Sequence, residues 1–240
     1  MKPGLAISSL ASVALTSCAA VLLAAQASQK QATPQLAGAF ATEFPVDKAR
    51  LLSVGTARYF VLQPGAKSTF EGGATRLVIT VLEATEKVDG VVTRVVEERE
   101  TEGGTLIEVS RNFFAFDPRD SAVYYFGEDV DMYRDGKITG HEGSWRSGVN
   151  GARFGLMMPG RPTVGTKYHQ EVAPKVAMDR AEVTSVGDAL KTPSGSYTSC
   201  VHTRETTPLE PGTVEWKRYC PGVGLAEDGE LKLTQFTPRP

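Results

Sequence analysis

The chain has 240 residues, of which 41% are hydrophobic and 22% charged, and its formal net charge is -2. Charges of both signs are interspersed, which excludes the basic stripe of a nucleic-acid binder and the block of like charge that marks an acidic tail. Beyond the N-terminal segment about 190 residues remain, enough for one domain with a full hydrophobic core.

In chain order, residues 1–27 read as an export signal. Lys2 precedes an uncharged stretch of Gly, Leu, Ala, Ser and Val, and Ala25-Gln26-Ala27 offers small residues at both positions that a signal peptidase recognises. Two alternatives accompany this reading: Leu15-Thr16-Ser17-Cys18 resembles a lipobox that would anchor a lipoprotein through Cys18, and the stretch could stay uncleaved as a membrane anchor. Cleavage after Ala27 predicts a periplasmic or extracellular protein with no stable membrane insertion. Residues 28–44, rich in Gln, Ala, Thr and Pro without periodicity, read as a flexible leader. A single domain is expected over 45–237.

That domain reads as β almost throughout. Val78-Ile79-Thr80-Val81-Leu82 and Val91-Val92-Thr93-Arg94-Val95-Val96 flank Asp89-Gly90, a dipeptide that supplies the positive φ angles of a two-residue hairpin turn. Gly103-Gly104, Asp135-Gly136 and Asp228-Gly229 repeat the signal, and Pro118-Arg119-Asp120 and Pro193-Ser194-Gly195 mark further turns. The strands so bounded are 105–116, 122–126, 137–145, 168–172, 197–206, 214–219 and 230–236. At most one short helix, over Pro174 to Val183, is expected. Sequential strands with short turns predict an antiparallel meander forming a single curved barrel or half-barrel, with a β-sandwich as the alternative.

Ordered motifs run through this region: Arg58-Tyr59-Phe60-Val61-Leu62-Gln63-Pro64-Gly65, Phe70-Glu71-Gly72, Tyr125-Phe126-Gly127-Glu128, Gly143-Ser144-Trp145, Pro208-Leu209-Glu210-Pro211-Gly212 and Pro221-Gly222-Val223-Gly224. On these the chain resembles a family of uncharacterised, exported, all-β bacterial proteins. The resemblance implies a fold and an address but no reaction, cofactor or catalytic residue. Cys200 and Cys220 lie outside its pattern.

Those two cysteines set a register. Their midpoint is residue 210, inside the turn Thr207 to Gly212, so antiparallel strands would place Cys200 opposite Cys220, where a disulfide can form. Removal of Cys18 would leave them as a balanced pair suited to an oxidising compartment. The same register puts Thr203 opposite Lys217 and Glu205 opposite Glu215, with Tyr219 on that face, while Cys200, His202, Arg204, Trp216 and Arg218 share the other. Facing carboxylates repel unless a cation compensates. Thr203, Glu205, Glu215, Lys217 and Tyr219 are therefore either a polar cluster lining a pocket or a solvated outer face on which Lys217 bridges both glutamates. Trp145, Gln170 and Glu171 join them as candidate ligand-binding residues. Trp145, Tyr168, Phe113 and Phe116 would supply aromatic walls or plain core.

Other chemistry is thinly supported. Asp131, Asp135 and Glu142 fall at the first, fifth and twelfth positions of an EF-hand calcium loop, but Tyr133 takes a ligand position and the flanks read as strands, so a hairpin at Asp135-Gly136 is favoured and no cofactor is predicted. His141, His169 and His202 lack the close spacing of metal ligands. Walker, Gly-x-Ser-x-Gly and His-Glu-x-x-His motifs are all missing. The favoured function is a non-catalytic binding protein, monomeric, whose partner is a small molecule or an envelope component. A hydrolase using Glu205 and Glu215 or a bound metal, and a structural or interaction module of the cell envelope, are the alternatives.

Overall fold

The computed structural model describes residues 38–239. The expected signal, Cys18 and most of the expected leader lie outside those residues. Among the described residues no helix is long and apolar enough to cross a membrane, and the one helical element is a 3-10 turn, Lys48–Arg50, whose Ala49 N–H is capped by Asp47 Oδ1 at 3.1 Å.

Seventeen strands follow: β1 Thr56–Ala57, β2 Phe60–Val61, β3 Lys67–Gly72, β4 Thr75–Val88, β5 Val91–Glu102, β6 Thr105–Asp117, β7 Ala122–Arg134, β8 Lys137–Gly140, β9 Trp145–Arg146, β10 Arg153–Met158, β11 Lys167–His169, β12 Glu171–Val172, β13 Arg180–Thr192, β14 Gly195–Thr206, β15 Glu215–Cys220, β16 Gly224–Asp228 and β17 Leu231–Thr237. Thirteen of them form a nearly closed antiparallel barrel in the order β11-β13-β14-β15-β16-β17-β3-β4-β5-β6-β7-β10-β12. Hairpin turns at Asp89-Gly90, Gly103-Gly104 and Asp135-Gly136 take the positive φ angles their sequences announce. The barrel, rather than a sandwich, results because almost every long pairing carries a bulge, including those between Val81 and Thr85, Asn112 and Phe114, and Val183 and Asp188. Each bulge bends and coils its strand.

The two edge strands, β11 and β12, are consecutive in the chain and separated by Gln170 alone. Gln170 and Glu171 both donate their backbone N–H to Asp179 O, at 2.8 and 3.2 Å. This bulge lets one segment bond β13 on one side and β10 on the other. The closure is tight: a Cβ on Gly155 of β10 would lie 2.2 Å from Gln170 O.

Apolar residues pack on both faces of β6 and β7, which explains the unbroken runs Phe113-Phe114-Ala115-Phe116 and Val123-Tyr124-Tyr125-Phe126. One face joins an inner cluster with Phe114, Tyr125, Trp145, Tyr168, Val183, Val201 and Tyr219. The other carries Phe113, Tyr124 and Phe126 and is covered by Leu51, Phe44 and Val46 of the segment before β1. A third cluster gathers Phe70, Leu77, Leu190, Cys200, Cys220 and Leu233.

Three expectations need correction. Pro174 to Val183 forms no helix: it is a short turn, with Ala177 N–H on Ala173 O at 2.9 Å, running into β13. Packing begins before residue 45, because Ala41 pairs with Tyr168 and Phe44 lies against the barrel. The last hairpin turns at Gly229-Glu230, one residue later than Asp228-Gly229, since Asp228 pairs with Leu231.

Candidate polar site in the barrel lumen

The register expected for β14 and β15 is the one observed: Thr203 pairs with Lys217 and Glu205 with Glu215. Cys200 and Cys220 are joined as a disulfide with Cα atoms 4.2 Å apart. The polar face of this hairpin points into the barrel, so the alternative of a solvated outer face is set aside. Its other half holds: Lys217 Nζ is 3.4 Å from Glu205, from Glu215 and from Asp228 of the adjacent β16. The opposite face, with Trp216 tilted against His202 at 4.9 Å and 43% exposed, looks outward.

Around Lys217 the hydrogen bonds are mutual. Glu205, 6% exposed, accepts from Thr203 Oγ1 at 3.0 Å and from Tyr219 Oη at 3.3 Å. Burial alone would pull the Lys217 ammonium down; Glu205 and Asp228 override it and hold its pKa well above that of free lysine. Burial raises Asp228, and Lys217 offsets part of that rise. Glu215 is the outermost member, with a side chain 57% exposed. It shares a mouth of about 170 Å³ with Asp179, Glu205, Thr207 and Glu210.

Across the lumen stand carboxyls of a different kind. Glu98 on β5 lies in a row with Ile79 of β4 and Ser110 of β6. It is partly buried and borders a cavity of about 120 Å³. Burial drives its pKa up to about 7. Glu128 on β7 is pushed up to about 8, again chiefly by burial, with the charges of Glu98 and Glu108 adding. Glu171 is held well above the usual carboxylate range by burial, Glu128 and Asp179. The remaining cavity wall is mainly apolar and includes Phe60, Ile79, Val96, Phe114, Met157 and Leu225, with Ser68, Lys217, Tyr219 and Asp228 completing the polar side.

Of the expected site residues, Thr203, Glu205, Lys217 and Tyr219 therefore converge, Glu215 sits at the mouth and Glu171 feels the charges of Lys217 and Glu205 from β12. Gln170 is buried and its side chain reaches only Met157 Sδ at 3.9 Å, so its part is in barrel closure. Trp145 packs edge-on to Tyr125 with centroids 5.4 Å apart and does not line the cavity that Lys217 borders. Of the expected aromatic walls, Tyr168 and Phe116 belong to the inner cluster and Phe113 to the covered outer face.

Sequence reading missed Glu98, Glu128 and Asp228. Glu98 stands in a run of charges, Glu97 to Glu100, that resembles a solvated edge, but its spacing of two from Val96 was the signal. Glu128 is turned inward by the bulge at Gly127, whose φ is 139°. Asp228 was absorbed into a turn.

The calcium alternative finds no support in the geometry. Asp131 is engaged by Arg111 at 3.0 Å and by His141 Nδ1 at 3.1 Å, and Asp135 forms the hairpin turn that closes at Arg134–Lys137. Among the described residues no group of three or more His, Cys, Asp or Glu could hold a metal. His169 lies against Phe40 and His202 against Trp216, so the histidines do not meet. Comparison with models of protein families, with curated proteins and with solved structures finds no match to this chain.

Proposed function

We propose that this is a non-catalytic binding protein, exported to the periplasm or beyond, that holds a small molecule in the barrel lumen. The observation that carries the reading is the cavity of about 120 Å³ with an apolar wall and a polar side formed by Glu98, Lys217 and Asp228. An apolar body with one polar group is what such a lining selects. Its volume suits a ligand of about six non-hydrogen atoms, since a cavity of about 150 Å³ holds benzene. Catalysis by Glu205 and Glu215 is less favoured, because Glu205 is already engaged by Thr203, Tyr219 and Lys217. Export rests on Lys2, the apolar stretch and Ala25-Gln26-Ala27, with the Cys200–Cys220 bond suited to an oxidising compartment.

The test is titration of the protein with 1-pentanol, followed by NMR. Saturable shifts at Phe60, Ile79, Phe114 and Leu225 support the reading, provided they vanish in Ala66→Leu, which fills the cavity from a wall residue 3% exposed. Shifts that grow linearly, or survive in Ala66→Leu, overturn it. Intact mass of the exported protein tests the address: a chain beginning at Ser28 agrees, and a lipid on Cys18 does not.

A further inference from the structure

Accepting that the lumen binds a ligand, its charges narrow the ligand's class. Among the described residues Lys217 is the one cation in contact with these carboxylates, and its contacts are taken by Glu205, Glu215 and Asp228. An incoming anion would meet a lysine already outnumbered by carboxylates. Glu98, by contrast, has no hydrogen bond or ion pair to any described residue, although Ser110 and Ile79 flank it and the cavity lies before it. A partly buried carboxyl that borders open space with no donor among the described residues is free to accept from a ligand.

A second unmet polar group stands in the same interior. Tyr168 Oη is buried without a hydrogen-bond partner, the residue being 1% exposed. Its register through Ala181 to Glu205 keeps it on the inner face, where the Glu205 and Tyr219 oxygens act on it. Apolar residues serve the same wall beside each group: Val96 on β5, two residues before Glu98, and Val183 on β13, the strand paired with that of Tyr168.

We propose that the lumen binds a small organic cation, a primary amine with an apolar body, whose ammonium donates to the Glu98 carboxylate while the body lies against Phe60, Ile79, Phe114 and Leu225. The remaining groups that act on Glu98 are Lys217, Asp228, Glu108 and Glu100. Lys217 exerts the largest of these charge effects, but its own charge is shared with Glu205, Glu215 and Asp228, and the other three groups are carboxyls. Tyr168, beside Glu205, extends the polar interior in the direction of the mouth.

The test compares n-pentylamine, 1-pentanol and pentanoate by calorimetric titration at pH 8.0, where Glu98, with its pKa near 7, is mostly ionised. A charge-assisted hydrogen bond predicts that the amine binds about tenfold or more tighter than the alcohol. Glu98→Gln should remove that preference, and lowering the pH to 5.5 should erode it in the unsubstituted protein. Pentanol binding without a preference for the amine overturns the cation assignment and leaves the cavity reading standing. Tightest binding of pentanoate also overturns it, with Lys217 as the anchor. If none of the three binds, the cavity reading itself fails. Should Glu98→Gln not fold, the three-ligand comparison and its pH dependence still decide.

Discussion

Lys217→Met tests the electrostatic arrangement most directly. The substitution keeps an unbranched side chain of similar length and removes the ammonium that lies 3.4 Å from each of Glu205, Glu215 and Asp228. Breaking a buried pair by deleting one partner costs about 3–5 kcal/mol, because the other charge stays buried and uncompensated. Here the lower end applies: the Glu205 side chain is 7% exposed, but Asp228 and Glu215 are 24% and 57% exposed and can recruit water. A loss of about 3 kcal/mol in a domain of this size lowers Tm by about 6–12 °C. The sign with pH follows from the groups involved. The raised pKa of Lys217 means its contribution is fully present below the free lysine value and lost only as pH climbs through the raised one. In the variant, protonation of Asp228, already raised by burial, relieves the repulsion as pH falls. Urea unfolding at pH 8 and pH 5 should therefore show a gap between the two proteins that narrows at the lower pH. A gap below about 1 kcal/mol at pH 8, the value of a solvated surface pair, or one independent of pH, would refute an inward-facing cluster.

Glu98→Gln should stabilise the protein at pH 8 and leave it unchanged at pH 4. A carboxyl raised from 4.5 to about 7 on folding costs nothing below 4.5, and stability falls as pH rises toward 7; partial access to cavity water reduces the expected gain to about 1 kcal/mol, read by thermal melts at both pH values. Replacing both Cys200 and Cys220 by Ala should cost about 3 kcal/mol, the chain entropy released by opening a loop of this length, and a loss under about 1 kcal/mol would show that the unfolded chain gains little freedom from it. Gly155→Ala should cost about 3 kcal/mol and speed hydrogen exchange at Gln170 and Glu171, because the new Cβ meets Gln170 O at 2.2 Å and His169 O at 2.7 Å, both backbone atoms. Gly136→Ala, in open space at a φ of +72°, should cost only about 1 kcal/mol; equal effects at the two glycines would contradict tight closure at Gln170.

What could be read from the chain beforehand follows a physical division. Hairpin turns are local, since Asp89-Gly90 and Gly103-Gly104 fix φ within two residues, and the register of β14 and β15 follows from the symmetry of Cys200 and Cys220 about one turn. Those features were legible. The side of the sheet on which Lys217 lies was not, because it depends on closure, and closure depends on bulges spread over many strands. Gln170-Glu171 resembles the middle of a single strand, and only its distant partner Asp179 reveals that the segment bonds two different strands. Glu98 and Glu128 escaped for the same reason: each is polar by sequence and interior by topology, and the pattern Val96-Glu98-Glu100 reads equally well as a strand leaving the core.

The interior placement of these carboxyls bears on what the barrel is for. Apolar residues of similar volume at Glu98 or Glu128 would suit the lumen as Val96 and Phe114 do, and replacing buried ionic groups by packed apolar ones is often neutral or stabilising. Burial raises the pKa of both groups, which means each resists ionisation where it stands. Neither makes a described ion pair, but Glu128 accepts a hydrogen bond from the Tyr125 hydroxyl, so of the two only Glu98 lacks a described partner. Lys217 is the contrasting case, since its partners on β14 and β16 tie three adjacent strands together. The polar lumen thus divides into a half that ties strands together through Lys217 and a half that makes no described ion pair. That second half includes Glu98, which borders the cavity. This coincidence of unmet acceptor and open space is the reason to look for a ligand there rather than at the more conspicuous glutamates of the last long hairpin.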